Sequence, residues 1–205
     1  MAFMTTGNTS RADANRRRIL DVALAELLRD PDASMDQIAR AAGVVRRTVY
    51  GHFPNREALV GTLLDGAVEA VAAAQEAGRA GAQDPARALA GATLAIWEVA
   101  DRYRILVALA QRSVTMQGIR ERLAPVREAC QELLERGLEE GVFTSPLPAP
   151  ALAYVHEQLL FGVMEAVNDG LLAPEEAGRS AAVTVLTAAG VPASRATELV
   201  AKQSD

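Results

Sequence analysis

Arg46, Arg47, Thr48, Tyr50 and His52 crowd into seven consecutive positions. The chemistry open to these types at this spacing is hydrogen bonding to a polyanion and to base edges. A guanidinium can pair bidentately with O6 and N7 of guanine, and a threonine can meet a thymine methyl or a phosphate. Tyrosine and histidine have the reach and the donors for backbone phosphates.

Such a cluster is useful only if a rigid scaffold presents it outward. Ser34 suits a helix N-cap, and Gln37 three residues on can close a capping box. Met35, Ile38 and Ala39 give the next helix one apolar face, with Asp36 and Arg40 outside. Ala39 is small enough for a second helix to cross closely. Gly43 falls where the chain must turn, and glycine reaches positive φ without steric cost. Val44 and Val49 then face inward, Phe53 adds a large apolar plug, and Pro54 ends the helix before it. The segment from Ser34 to Phe53 thus reads as helix, tight turn, helix, a layout that fits the major groove. Two adjacent arginines alone would fit a solvated helical hairpin better. The cap, small residue, turn glycine and inward valines together favour the groove. Asn55 reads as the N-cap of a further helix with Arg56 in its first turn, a natural phosphate clamp.

From about Asn15 to Leu64 the chain resembles the N-terminal domain of the TetR (tetracycline repressor-like) family of transcriptional regulators. The similar text is RRRILDVALAELL followed by SMDQIARAAGVVRRTVYGHFPNREALVGTLL. The resemblance implies a three-helix DNA-binding domain joined by a fourth helix to a regulatory domain. It implies base contacts by Arg46, Arg47 and Thr48, and phosphate contacts by Tyr50, His52 and Arg56. One position departs from the pattern. Val45 stands where many members carry Ser or Thr, so a cap hydrogen bond of about 1 kcal/mol is absent, and a phosphate contact with it.

The net charge of −5 runs against DNA binding until the chain is divided. Residues 1–60 carry +2 and residues 61–205 carry −7. Positive charge is therefore concentrated around the arginine cluster, and the acidic remainder would stay off a duplex. Affinity should fall steeply with salt. Cys130 is the only cysteine, which excludes an intrachain disulfide and reads as a small buried hydrophobe. No apolar run is long enough to span a membrane, and no signal segment precedes the first helix. A cytoplasmic protein with no membrane partner is expected.

The expected fold class is all-α. Residues 1–13 read as a disordered arm, 14–54 as the helix-turn-helix domain, and 55–205 as a helical regulatory and dimerisation domain. In the first helix Ile19, Val22, Ala23 and Leu27 share a face, and Asp30-Pro31-Asp32 ends it. Arg11 and Arg16 to Arg18 could touch phosphates or simply be solvated. Further helices are predicted over about 55–77, 85–101, 103–113, 119–140, 150–168 and 174–189, with a short one at the end. Pro125 is a kink or a late start.

No catalytic set is present. His156-Glu157 opens like a zinc motif but no second histidine follows, and there is no phosphate-binding glycine loop, so neither an enzyme, a metal nor a cofactor is expected. The family resemblance implies a small-molecule effector among the middle helices. Trp97, Tyr103, Met116, Phe161 and Met164 are candidate liners, although each taken singly reads more simply as a core residue. Arg102, Arg104 and Arg112 could serve an anionic ligand or be solvated. The resemblance also implies a homodimer, with Leu160, Val163, Val167, Val183 and Leu186 as candidate interface residues on the last two long helices. The expected function is an effector-released repressor that binds a palindromic DNA operator as a homodimer. The alternative is a DNA-binding scaffold or adaptor without an effector, which a densely filled middle domain would favour.

Overall fold

The computed structural model describes residues 11–110 and 115–203. Every regular element among them is helical: α1 (Arg11–Arg29), α2 (Met35–Ala41), α3 (Arg46–His52), α4 (Arg56–Arg79), α5 (Pro85–Ala110), α6 (Met116–Arg122), α7 (Ala124–Glu139), α8 (Ala149–Asn168), α9 (Pro174–Ala188) and α10 (Ala193–Ala201). Residues 1–10 of the expected arm, and Arg112, lie outside the described residues. So does the Arg11 side chain, although α1 begins at that position.

The chain forms two compact units. The first holds residues 11–64 with 105–110 and Thr115, and the second holds 65–104 with 116–203. In the first unit α1 packs on α2 and α2 on α3. Ile19, Ala23 and Leu27 recur every fourth residue along α1 and are all buried, the stripe an amphipathic helix turns to its core. Val22, expected beside them, is only half-buried.

In the second unit α7 packs on α8, α8 on α9 and α9 on α10. One core runs through α5, α7, α8, α9 and α10 and includes Leu89, Cys130, Leu134, Phe143, Leu152 and Leu186. A second gathers Ile96, Trp97, Leu160, Met164, Val167 and Ala181. Small residues permit the closest approaches. A methyl on Gly78 of α4 would press on the Gly91 carbonyl of α5 and stand 2.8 Å from the Ala95 methyl.

Two boundaries differ from the sequence reading. The predicted helices 85–101 and 103–113 are one helix as far as Ala110. Asp101 and Arg104 form an i, i+3 ion pair across the expected break, and neither Gly nor Pro stands between Ala92 and Ala110. Conversely, the predicted helix 119–140 is two, because Pro125 occupies the first turn of α7, where its missing N–H costs nothing.

Candidate nucleic-acid interface

The scaffold under the arginine cluster is built by local hydrogen bonds. The Ser34 hydroxyl accepts from the Gln37 N–H at 3.3 Å, and the Gln37 side chain accepts from the Ser34 N–H at 2.7 Å. The capping box is therefore complete. Gly43 adopts φ +63°. Its N–H donates to the Arg40 carbonyl at 3.1 Å, and that of Val44 to the Ala39 carbonyl at 3.0 Å, which closes the C-terminus of α2 in the manner that favours glycine.

α3 then begins at Val45, which is extended, offers no side-chain cap and is 69% exposed. Val49 and Phe53 are buried and fix the inner side of α3, while Val44 is half-buried. The Arg16 guanidinium lies over the Phe53 ring, 5.3 Å from its centroid. The outer side carries the chemistry. Arg46, Arg47 and Tyr50 are exposed, and Thr48 and His52 are half-buried.

The two arginines differ. Arg46 donates from Nη1 to Asp36 Oδ2 at 2.9 Å and from Nη2 to the Tyr50 hydroxyl at 3.4 Å. Its guanidinium also sits 5.1 Å from the Tyr50 ring centroid. Arg47 has no hydrogen-bond or ion-pair partner among the described residues. Asp36 was read from sequence only as a solvent-facing residue. Its link to Arg46 spans ten positions and has no local sequence signature.

Asn55 does cap α4, its side-chain oxygen accepting from the Ala58 N–H at 2.8 Å. Arg56 is drawn inward. It is half-buried, and two of its guanidinium nitrogens donate to the Pro31 and Ala33 carbonyls. It thereby ties the α1–α2 connection to the start of α4.

Of the candidate effector liners, Trp97, Phe161 and Met164 come together in one apolar cluster. Tyr103 is half-buried and Met116 exposed, and neither belongs to that cluster. A groove of about 380 Å³ lies elsewhere in the second unit, lined by Glu76, Arg79, Glu132, Leu133 and Arg136 among others, and by none of the five.

The candidate interface residues divide as well. Leu186 has no exposed surface, because it is locked in the core of its own chain. It cannot meet a second copy, and the sequence reading is corrected there. Leu160 and Val167 are also buried within the subunit, packed around Trp97, while Val163 and Val183 are half-buried. The periodicity marked an apolar stripe correctly but could not say which side of a two-sided helix meets the internal core.

Sequence reasoning also missed a buried polar set in the second unit, in which Cys130, His156 and Thr93 are linked side chain to side chain. No group of three or more His, Cys, Asp or Glu among the described residues could hold a metal ion. None of the described helices is long and apolar enough to cross a membrane.

Residues 19–63 match the family model for bacterial regulatory proteins of the tetR family. Over 52 residues the chain is 46% identical to an uncharacterised helix-turn-helix-type transcriptional regulator, TtgW, of Pseudomonas putida. Over 61 residues it is 43% identical to the helix-turn-helix-type transcriptional regulator EthR of Mycobacterium tuberculosis. These matches take in 24% and 28% of this chain, and only 39% and 28% of the relatives' own lengths. The fold is shared more widely. The TetR-like regulator LfrR of Mycobacterium smegmatis, solved in complex with proflavine, superposes with a TM-score of 0.67 at 23% identity, over 87% of this chain and 98% of that one. The capped helix pair thus lies inside a segment similar to bacterial regulatory proteins of the tetR family, and the fold around it is one that a TetR-like regulator shares.

Proposed function

We propose that this protein is a DNA-binding transcriptional repressor that grips a palindromic duplex site as a homodimer and releases it when a small molecule binds. The observation that carries the reading is the exposed Arg47, without a partner among the described residues, beside Arg46 at the start of α3, on a helix whose other side is sealed by Val49 and Phe53. A helix fixed from behind and charged in front is what groove insertion requires. In this reading Arg46, Arg47 and Thr48 face bases. Tyr50, His52 and the remaining nitrogen of Arg56 face phosphates.

Dimerisation is assigned to the outer sides of α8 and α9. Val155, Leu159, Gly162 and Ala166 recur at helical spacing on α8 and keep exposed or partly exposed surface, as do Ser180, Val183, Thr184 and Thr187 on α9. Val155, Leu159 and Ala188 border a small apolar gap of about 10 Å³ that reaches the buried Leu134 and Leu152. Small and apolar surface of this kind lets helices from two copies approach closely. The effector is assigned to the cluster around Trp97, Phe161 and Met164, and the relative solved with proflavine supports a small-molecule site in this fold. An effector that favours the released state shifts the population away from DNA.

The test is a titration against a duplex enriched by the protein from a random-sequence library, beside a scrambled duplex. Arg46→Ala or Arg47→Ala should cost about 1–3 kcal/mol on the enriched duplex and relax base preference. Tyr50→Phe should weaken both duplexes alike. Full discrimination retained by both arginine variants would overturn the assignment of base reading.

A further inference from the structure

Two neighbouring arginines at the start of α3 are held differently, and the difference has a consequence for sequence discrimination. Resting on the DNA-binding reading above, we propose that Asp36 is a specificity-determining positioning residue, whose carboxylate competes with phosphates for the Arg46 guanidinium and yields it to a guanine edge.

Arg46 Nη1 lies 2.9 Å from Asp36 Oδ2, and the guanidinium is stacked 5.1 Å above the Tyr50 ring. The two side chains retain 66% and 46% of their exposure. An exposed pair of this kind shifts an equilibrium by at most about fivefold, so Arg46 exchanges partners readily. Asp36 depends on the pairing more than Arg46 does. Its Oδ1 is enclosed and has no hydrogen-bond partner, so Arg46 is the cation that offsets its charge.

A phosphate offers Arg46 little that Asp36 does not already supply. Both are oxyanions that accept from the same fork, and a phosphate brought to Arg46 also approaches the Asp36 carboxylate with like charge. Random-sequence binding is built almost wholly from such cation–phosphate contacts, so Arg46 contributes little to it while Asp36 is charged. A guanine edge presents two neutral acceptors in the fork geometry, and a good bidentate contact discriminates by about 5- to 150-fold. It does not repel Asp36. Arg47, with no ion-pair partner among the described residues, lacks this filter and serves either partner.

The experiment compares wild type with Asp36→Asn, which keeps the side-chain shape and removes the charge. The full-length protein is titrated at several salt concentrations against the enriched duplex and the scrambled duplex, with helical content and melting temperature checked by circular dichroism. Asp36→Asn should tighten scrambled DNA by about threefold or more and steepen its salt dependence by about one ion. Binding to the enriched duplex should stay within about twofold, so the specificity ratio falls. In an Arg46→Ala background the same substitution should leave the ratio unchanged. Equal tightening on both duplexes would make Asp36 a bystander charge and overturn the proposal. So would no change on either, or an undiminished effect without Arg46. Failure of the wild-type protein to enrich any duplex would instead remove the DNA-binding reading, and this proposal with it.

Discussion

The Cys130 sulfur lies 2.9 Å from Nδ1 of His156, inside the core of the second unit. The opposite ring nitrogen, Nε2, is 3.4 Å from the Thr93 hydroxyl, which donates its own proton to the Leu89 carbonyl at 2.7 Å. The direction of each bond follows. Thr93 can only accept, so Nε2 carries the ring proton, and Nδ1 accepts from the thiol. All three groups are satisfied without any charge. Burial pulls His156 down from 6.5 to about 4. Burial pushes the Cys130 thiol up from 9.0 to about 12, with Arg79 opposing and Glu157 adding to the shift.

Stability should therefore narrow at both ends of the pH range. An unfolded chain takes a proton on His156 near 6.5 and the folded one only near 4. Stability is present above pH 6.5 and is lost as pH falls toward 4, by as much as about 3 kcal/mol. The thiol acts in the opposite direction. Its contribution is present below pH 9.0 and is lost as pH rises toward 12. Denaturant midpoints measured across pH should show both slopes. His156→Asn should flatten the acid one and Cys130→Ala the alkaline one.

The two helix starts of the DNA-binding head should respond in opposite senses. Ser34→Ala removes a complete capping box and should cost about 1 kcal/mol. Val45→Ser supplies a cap that α3 lacks and should add about 1 kcal/mol. Thermal melts of the two variants would check this, and a destabilised Val45→Ser would contradict it.

Gly178 lies against the only tryptophan. A methyl there would stand 2.6 Å from Cδ1 of Trp97, which is buried beside Ile96 and Ala181. Gly178→Ala should cost about 1–3 kcal/mol by overpacking and shift the Trp97 fluorescence. Gly66→Ala, on an open stretch of α4, should instead stabilise by about 0.5–1 kcal/mol through helix propensity alone.

Glu157 joins α8 to the two preceding helices. It meets Arg127 at 2.6 Å and Arg120 at 3.5 Å, and Arg120 also lies 4.6 Å from the Tyr154 ring centroid. Glu157→Gln leaves two cations facing an uncharged amide. The arginines remain about a quarter to a third exposed, so the loss should be about 2 kcal/mol, below the 3–5 kcal/mol of a fully buried pair. Chemical denaturation of the variant measures it.

A charge on the outer side of α8 should separate the proposed dimer without unfolding the subunit. Val155→Glu is expected to give a monomer in sedimentation velocity with unchanged helical content. A dimer that persists would place the interface elsewhere.

The DNA-binding head was legible in sequence where its determinants are local. Ser34 and Gln37, Gly43, and Asn55 each act within four residues, and each does in the structure what its residue type suggested. What could not be read depends on distance in the chain. Asp36 reaches Arg46 ten positions on, and Arg56 reaches back 23 and 25 positions to two loop carbonyls. Periodicity also failed to separate the two sides of α8 and α9, because both are rich in apolar and small residues. Leu186 satisfies the same spacing as a surface stripe, yet it is sealed inside.

The inward-facing thiol makes this protein a ready chassis for chemical labelling. Cys130 is buried and held protonated, so maleimides should pass it by while the fold is intact. A cysteine placed at Leu171, which is 80% exposed, would then take a dye at one defined position with the natural residue left in place.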